Sequence, residues 1–210
     1  CRTFLAFWGL RCYPGFSQGA VGVRRKDRET FVPKVILKNG KSFEVPPGHT
    51  VAQALAAGGV SIGHDVLAAS VNGRSTDLSA PLTDDATLEP LRFDSAEGRE
   101  VYRHSSTHIM AQAVKELFPT AQLTIGPALD DSFYYDFAYD RPFTPEDLDK
   151  IEQRAREIAA RNLSVQRREM TKQEAVEFFK SRGELYKVEL IQSFPDGEPI
   201  SVYSQGDFVD

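Results

Sequence analysis

His104 and His108 stand four residues apart in the stretch RHSSTHIMAQAVKELF. At that interval on a helix two imidazoles share a face, with Cβ atoms about 5–6 Å apart, so both can reach one small target. An imidazole with its ordinary pKa of about 6.5 can take a proton from water, order a water molecule or bind a metal. The pair alone does not choose among these. A metalloprotease of the HExxH type needs glutamate directly after the first histidine, and that place holds Ser105. A structural zinc site needs third and fourth ligands, but His49 and His64 belong to an earlier module and Cys12 to the N-terminal leader. Three readings stay open at this point: a catalytic pair, a metal held by His104 and His108, and polar groups bonded at a domain surface.

The histidines require a helix to present them. One is predicted from about Ala96, capped by Asp94 or Ser95 and ending before Pro119. Tyr102, Ile109, Ala113 and Leu117 form its apolar stripe, and the histidines lie on the neighbouring stripe with Ser105, Ala111 and Gln112. Upstream, KVILKNGKSFEV reads as a hairpin around Asn39-Gly40, where both turn residues tolerate positive φ. HTVAQALAAGG offers Thr50 as N-cap and Gly58 as helix stop, and a second Asn-Gly turn at Asn72-Gly73 separates strands ending near ATLEPLRF. That order is a ubiquitin-like β-grasp over residues 32–93.

Residues 94–210 read as a second, α+β unit. A strand is predicted from Phe133 to Phe137, where Tyr134, Tyr135 and Phe137 alternate as core-packing residues of a half-buried strand. Thr144-Pro145-Glu146-Asp147 starts a helix leading into Leu148, Ile151 and Ile158. SVQRREM is a strand, Thr171-x-x-Glu174 opens a helix that stops near Gly183, and YKVELI and ISVYS are read as two further strands. No internal repeat is present, and His49 and His64 are assigned no role.

Composition bounds the function. The 210 residues are 41% hydrophobic and 26% charged, and no run approaches the roughly 18–20 apolar residues a membrane-spanning helix needs. Residues 1–30 hold six basic and two acidic side chains, a balance of +4 in a chain of net charge −5, so the remainder carries −9. Such an acidic body argues against broad nonspecific coating of nucleic acid, which releases counterions through many lysines and arginines. A local RNA contact remains compatible with it, and Arg154, Arg156, Arg167 and Arg168 are candidates, although interleaved glutamates favour a solvated face. Residues 1–31 read as a disordered basic leader. Both cysteines lie in it, which suggests a reduced compartment, and the chain does not begin with Met. The expected location is the cytoplasm; the arginine-rich, acid-poor leader has transit-peptide features that leave a mitochondrial or plastid address as the second reading.

RHSSTHIMAQAVKELFP, TIGPALDDSFYYDF, RPFTPEDL, SRGELYKVELI and YSQGDFVD occur in that order and spacing. Together they resemble successive blocks of the N-terminal half of threonyl-tRNA synthetases, and the preceding module resembles their TGS domain. The resemblance runs from about residue 33 to Asp210. It implies a TGS β-grasp followed by an editing domain of the threonyl/alanyl-tRNA synthetase second additional domain type, which hydrolyses serine wrongly attached to threonine tRNA. It implies that His104 and His108 are the editing histidines and Lys187 the editing lysine. Asp210 is the acid ahead of a Cys-x-x-x-His element, where this chain stops, so the site is expected to be incomplete.

In the implied chemistry His104 and Lys187 serve the hydrolytic step, His108 orients the terminal ribose, and Asp210 grips the amino acid. The implied partner is the acceptor end of threonine tRNA, with no membrane. This part needs no cofactor; ATP, magnesium and a catalytic-core zinc, and dimerisation through C-terminal domains, belong to the longer parent. Two other readings are a noncatalytic TGS-containing RNA-binding or regulatory module and a zinc-dependent editing hydrolase of the alanyl type.

Overall fold

The computed structural model describes residues 31–126, 129 and 131–210. The expected basic leader therefore lies outside the described residues, apart from Phe31.

The first unit begins with a hairpin of β1 (Lys34–Leu37) and β2 (Ser42–Glu44). Of Asn39-Gly40 only the glycine takes positive φ, at 85°. At Asn72-Gly73 both residues do, at 51° and 80°, as the tight turn between β3 (Val66–Val71) and β4 (Arg74–Thr76) demands. β5 (Ala86–Arg92) lies parallel to β1 and antiparallel to β3, so the sheet order is β2-β1-β5-β3-β4, a β-grasp arrangement. Helix α1 (Val51–Ala57) starts at a capping box in which Thr50 and Gln53 satisfy each other's free amides. It buries Val51, Ala54 and Leu55 against Val35, Leu37 and Leu88.

Only residues 93–95 separate β5 from α2 (Ala96–Leu117). Of the two predicted caps, Ser95 is used: its hydroxyl accepts from the Gly98 amide at 3.0 Å. Gly98 is the narrowest point of this junction, since a Cβ there would lie 1.8 Å from the Arg92 carbonyl oxygen. Gly98→Ala is expected to cost about 1–3 kcal/mol through this clash, outweighing the ~1 kcal/mol by which alanine is the better helix former. A urea midpoint equal to that of the wild type would show that the junction yields.

The burial of α2 departs from the predicted stripe. Tyr102 is 50% exposed and Leu117 also faces water, whereas Thr107, Ala111, Gln112, Ala113 and Val114 are buried. Its partner is α3 (Pro145–Ala160), which starts at the expected Thr144/Asp147 capping box with Pro145 in the first turn. Ile151 and Ile158 pack against Ala113 and Val114, but Leu148 is 56% exposed and plays no core role. The predicted Phe133–Phe137 strand shrinks to β7 (Phe137–Ala138), paired with β6 (Gln122–Leu123), and the residues before it are irregular.

A three-stranded antiparallel sheet closes the chain, in the order β10 (Phe208–Val209), β9 (Ile200–Gln205), β8 (Val165–Met170). Helix α4 (Lys172–Ser181) opens at the expected Thr171/Glu174 capping box. YKVELI is not a strand: it lies within α5 (Leu185–Ser193). Val188 and Ile191, three residues apart, pack against Phe179, Ile200 and Val202, so tertiary burial of a helical stripe overrides the β preference of Tyr, Val and Ile. Among the described residues no helix is long and apolar enough to cross a membrane.

Candidate functional site

Helix α2, helix α5 and the last hairpin converge on one small cluster. α2 carries the two histidines with ring centroids 4.6 Å apart and planes tilted by 50°. His104 faces solvent, while the His108 side chain is only 16% exposed. Thr107, fully buried between them in sequence, donates its hydroxyl to the His104 carbonyl at 2.5 Å and so ties down the turn that spaces them.

Lys187 arrives on α5, and the start of that helix is nailed to α2. Only Arg182, Gly183, at φ 74°, and Glu184 lie between α4 and α5. The buried Glu184 carboxylate takes an ion pair from Lys115 of α2 at 2.6 Å, and its other oxygen lies 3.4 Å from the Leu123 amide of β6. Asp210 arrives from the last hairpin. Its amide donates to the Tyr203 carbonyl at 2.9 Å and its carbonyl accepts from the Tyr203 amide at 2.8 Å, so it continues the ladder rather than fraying.

The Asp210 carboxylate is the hub, with its side chain 5% exposed. It forms an ion pair with the Lys187 ammonium. It accepts from the Tyr135 hydroxyl at 2.9 and 3.2 Å, and His108 Nε2 stands 3.8 Å away, too far for a hydrogen bond but well within electrostatic reach. Lys187 Nζ also donates to the Tyr135 hydroxyl oxygen at 3.1 Å. All four residues singled out in the sequence thus meet in one place.

The sequence marks neither Tyr135 nor Tyr203 as a site residue. Tyr135 is buried, as its place in a core-packing stretch predicts, but its hydroxyl binds both members of the ion pair. Its ring fits because residue 126 is glycine; a Cβ there would fall 2.2 Å from the ring. Burial first, then the charge and hydrogen bond of Asp210, drive its pKa far above the ordinary phenol range, so it stays protonated and donates. Tyr203, read only as part of a strand, sets its ring edge-on to both imidazoles.

His108 is held neutral. Burial is the main cause of a pKa lowered to about 4; the neighbouring His104 and Lys187 push the same way and Asp210 opposes them. The unfolded chain takes up this proton near the ordinary value of about 6.5, so between about pH 6.5 and 4 the unfolded state binds more protons. Folding stability is unaffected by this group above that window, falls through it, and is lower by roughly 3 kcal/mol below it. Urea unfolding at pH 7 and pH 4.5 is expected to show a larger acid loss in the wild type than in His108→Gln. Equal losses would mean that the ring is not held neutral by burial.

Among the described residues no group of three or more His, Cys, Asp or Glu side chains is arranged to hold a metal. Arg154 pairs with Glu116 and Glu157, Arg156 with Glu152 and Arg167 with Glu169, while Arg168 stacks over Phe178. A cavity of about 930 Å³ lies farther along α2, lined by Gln112, Lys115, Glu184 and Phe208 among others, but by none of the four clustered residues. His108 with its shifted pKa and the paired charges of Lys187 and Asp210 converge at the cluster, outside that void.

The TGS domain family matches residues 33–89. The chain is 51% identical over 179 residues to a threonine--tRNA ligase of Symbiobacterium thermophilum, covering 85% of this chain and 28% of that protein. Threonine--tRNA ligases of Methylococcus capsulatus and Magnetococcus marinus are 49% and 51% identical over 179 and 178 residues, again 28% of each. This chain is a relative of the threonine--tRNA ligases. It spans about 28% of the length of the ligases it matches, within their N-terminal region. Both histidines, Lys187 and Asp210 lie beyond the TGS domain.

Proposed function

We propose that this part of the ligase relative is the editing region, which hydrolyses serine from mischarged threonine tRNA. The observation that carries the reading is the meeting of a solvent-facing imidazole, a buried neutral imidazole, an ammonium and a carboxylate within one cluster. In the proposed reaction a water held by His104 adds to the ester carbonyl carbon and gives a proton to the imidazole. Lys187 offers positive charge to the oxyanion that forms. The bond between the carbonyl carbon and the ribose oxygen then breaks, the imidazolium returns its proton to that oxygen, and free serine and uncharged tRNA leave. His108, neutral and beside Asp210, accepts a hydrogen bond from the terminal ribose, and Asp210 attracts the ammonium of the amino acid.

Such a site has a reason to exist. Serine lacks one methyl of threonine, and a pocket that fits threonine disfavours the smaller side chain by only about 1–3 kcal/mol. A second, hydrolytic site multiplies that factor. The whole ligase activity, ATP-dependent attachment of threonine, is proposed only for a longer protein of which this chain would be a part.

The test is deacylation of seryl-tRNA and threonyl-tRNA by the purified chain. A seryl preference of at least about 10-fold is expected, the lower end of what one methyl can supply. Binding of both tRNAs without turnover of either would assign the chain to noncatalytic RNA binding.

A further inference from the structure

We propose that Tyr203 is a positioning residue for the imidazole pair, itself fixed by the rung it shares with Asp210 and by its place opposite Arg167 in the sheet. Its part in hydrolysis rests on the editing reading above; its part in holding the rings does not.

The geometry begins with the backbone. Tyr203 and Asp210 exchange both main-chain hydrogen bonds, so the residue whose carboxylate faces His108 and the residue whose ring faces both histidines share one rung of the β-ladder. The Tyr203 ring lies 6.1 Å from His104 at 70° and 5.8 Å from His108 at 85°. Edge-on contact with two rings at once is a restraint that neither imidazole supplies to the other. Displacing Tyr203 would free both histidines and admit water to His108.

Tyr203 is itself held from the opposite side. Its cross-strand partner is Arg167, whose guanidinium is fixed by Ser201 Oγ at 2.5 Å and Glu169 at 2.9 Å. Burial is the first cause of a raised Tyr203 pKa, with Asp77 acting the same way and Arg167 opposing, so the hydroxyl keeps its proton. The ring stands between the two histidines of α2 and the sheet positions of Arg167 and Asp210.

The test uses the whole 210-residue chain with ¹⁵N-labelled histidine rings, in the wild type, Tyr203→Ala, Tyr203→Leu and Tyr203→Phe. In Tyr203→Ala and Tyr203→Leu the His108 titration midpoint is expected to move up from about 4 toward the ordinary value, both ring signals to shift, and kcat for seryl-tRNA to fall about 10-fold or more with KM unchanged, as misplacement of catalytic groups does. Tyr203→Phe keeps the aromatic edge and is expected to restore the wild-type midpoint and ring signals. A midpoint and ring signals unmoved in folded Tyr203→Ala and Tyr203→Leu, or a Tyr203→Phe no closer to the wild type than they are, would overturn the proposal. Responsive rings in a chain that hydrolyses neither tRNA would sink the editing reading and leave the positioning role standing.

Discussion

Lys187→Met is expected to lower the stability of the chain by about 3–5 kcal/mol, the usual cost of leaving one member of a buried ion pair without its partner. Both side chains are largely withdrawn from water, so solvent cannot simply replace the ammonium beside Asp210. Methionine keeps the length and apolar stem of lysine, which isolates the charge as the cause. Tyr135 can continue to donate to Asp210, but one neutral donor does not balance a buried anion. Lys187→Met/Asp210→Asn is expected to recover a large part of the loss, since neither charge is then present. Urea unfolding at pH 7 decides the matter: a single variant within about 0.5 kcal/mol of the wild type, the range of ordinary surface substitutions, would mean that the pair is solvated.

His104→Ala is expected to do the opposite, leaving stability nearly unchanged while lowering the rate of seryl-tRNA hydrolysis on the order of 10²–10⁴-fold. The ring faces water and among the described residues makes no hydrogen bond, and the Thr107 hydroxyl bonds the backbone carbonyl of His104, which alanine retains. Loss of the ring removes the group proposed to take the proton of the attacking water. The measurement pairs single-turnover deacylation with urea unfolding of the same protein. A rate within a factor of about two of the wild type would remove His104 from the reaction, because a positioned general base contributes far more than that.

These two effects differ because one residue is held by the fold and the other is presented by it. Lys187 sits between Asp210 and Tyr135, under a helix whose first turn is anchored by the Glu184–Lys115 pair. His104 stands at the open side, where a substrate can arrive. Neutral His108 lies deeper, and its depressed pKa reflects the same burial that strengthens the pair beside it.

What the sequence determined alone was whatever is decided within four or five residues. The capping boxes at Thr50, Thr144 and Thr171 close on partners three residues on, and Ser95 caps α2 in the same way. The Asn72-Gly73 turn and the facing of His104 and His108 are equally local. The family resemblance carried Lys187 and Asp210 into view, since nothing in their immediate neighbours marks them. Tertiary structure decided the rest. YKVELI became a helix because Val188 and Ile191 found a shared core, while Tyr102 and Leu148 stayed wet because none of the described elements covers them. Tyr135 meets Asp210 across 75 residues and Lys187 across 52. Such meetings depend on which faces are buried together when the chain closes long loops, and the free energy that selects them is spread over the whole core, so no short stretch of sequence records it.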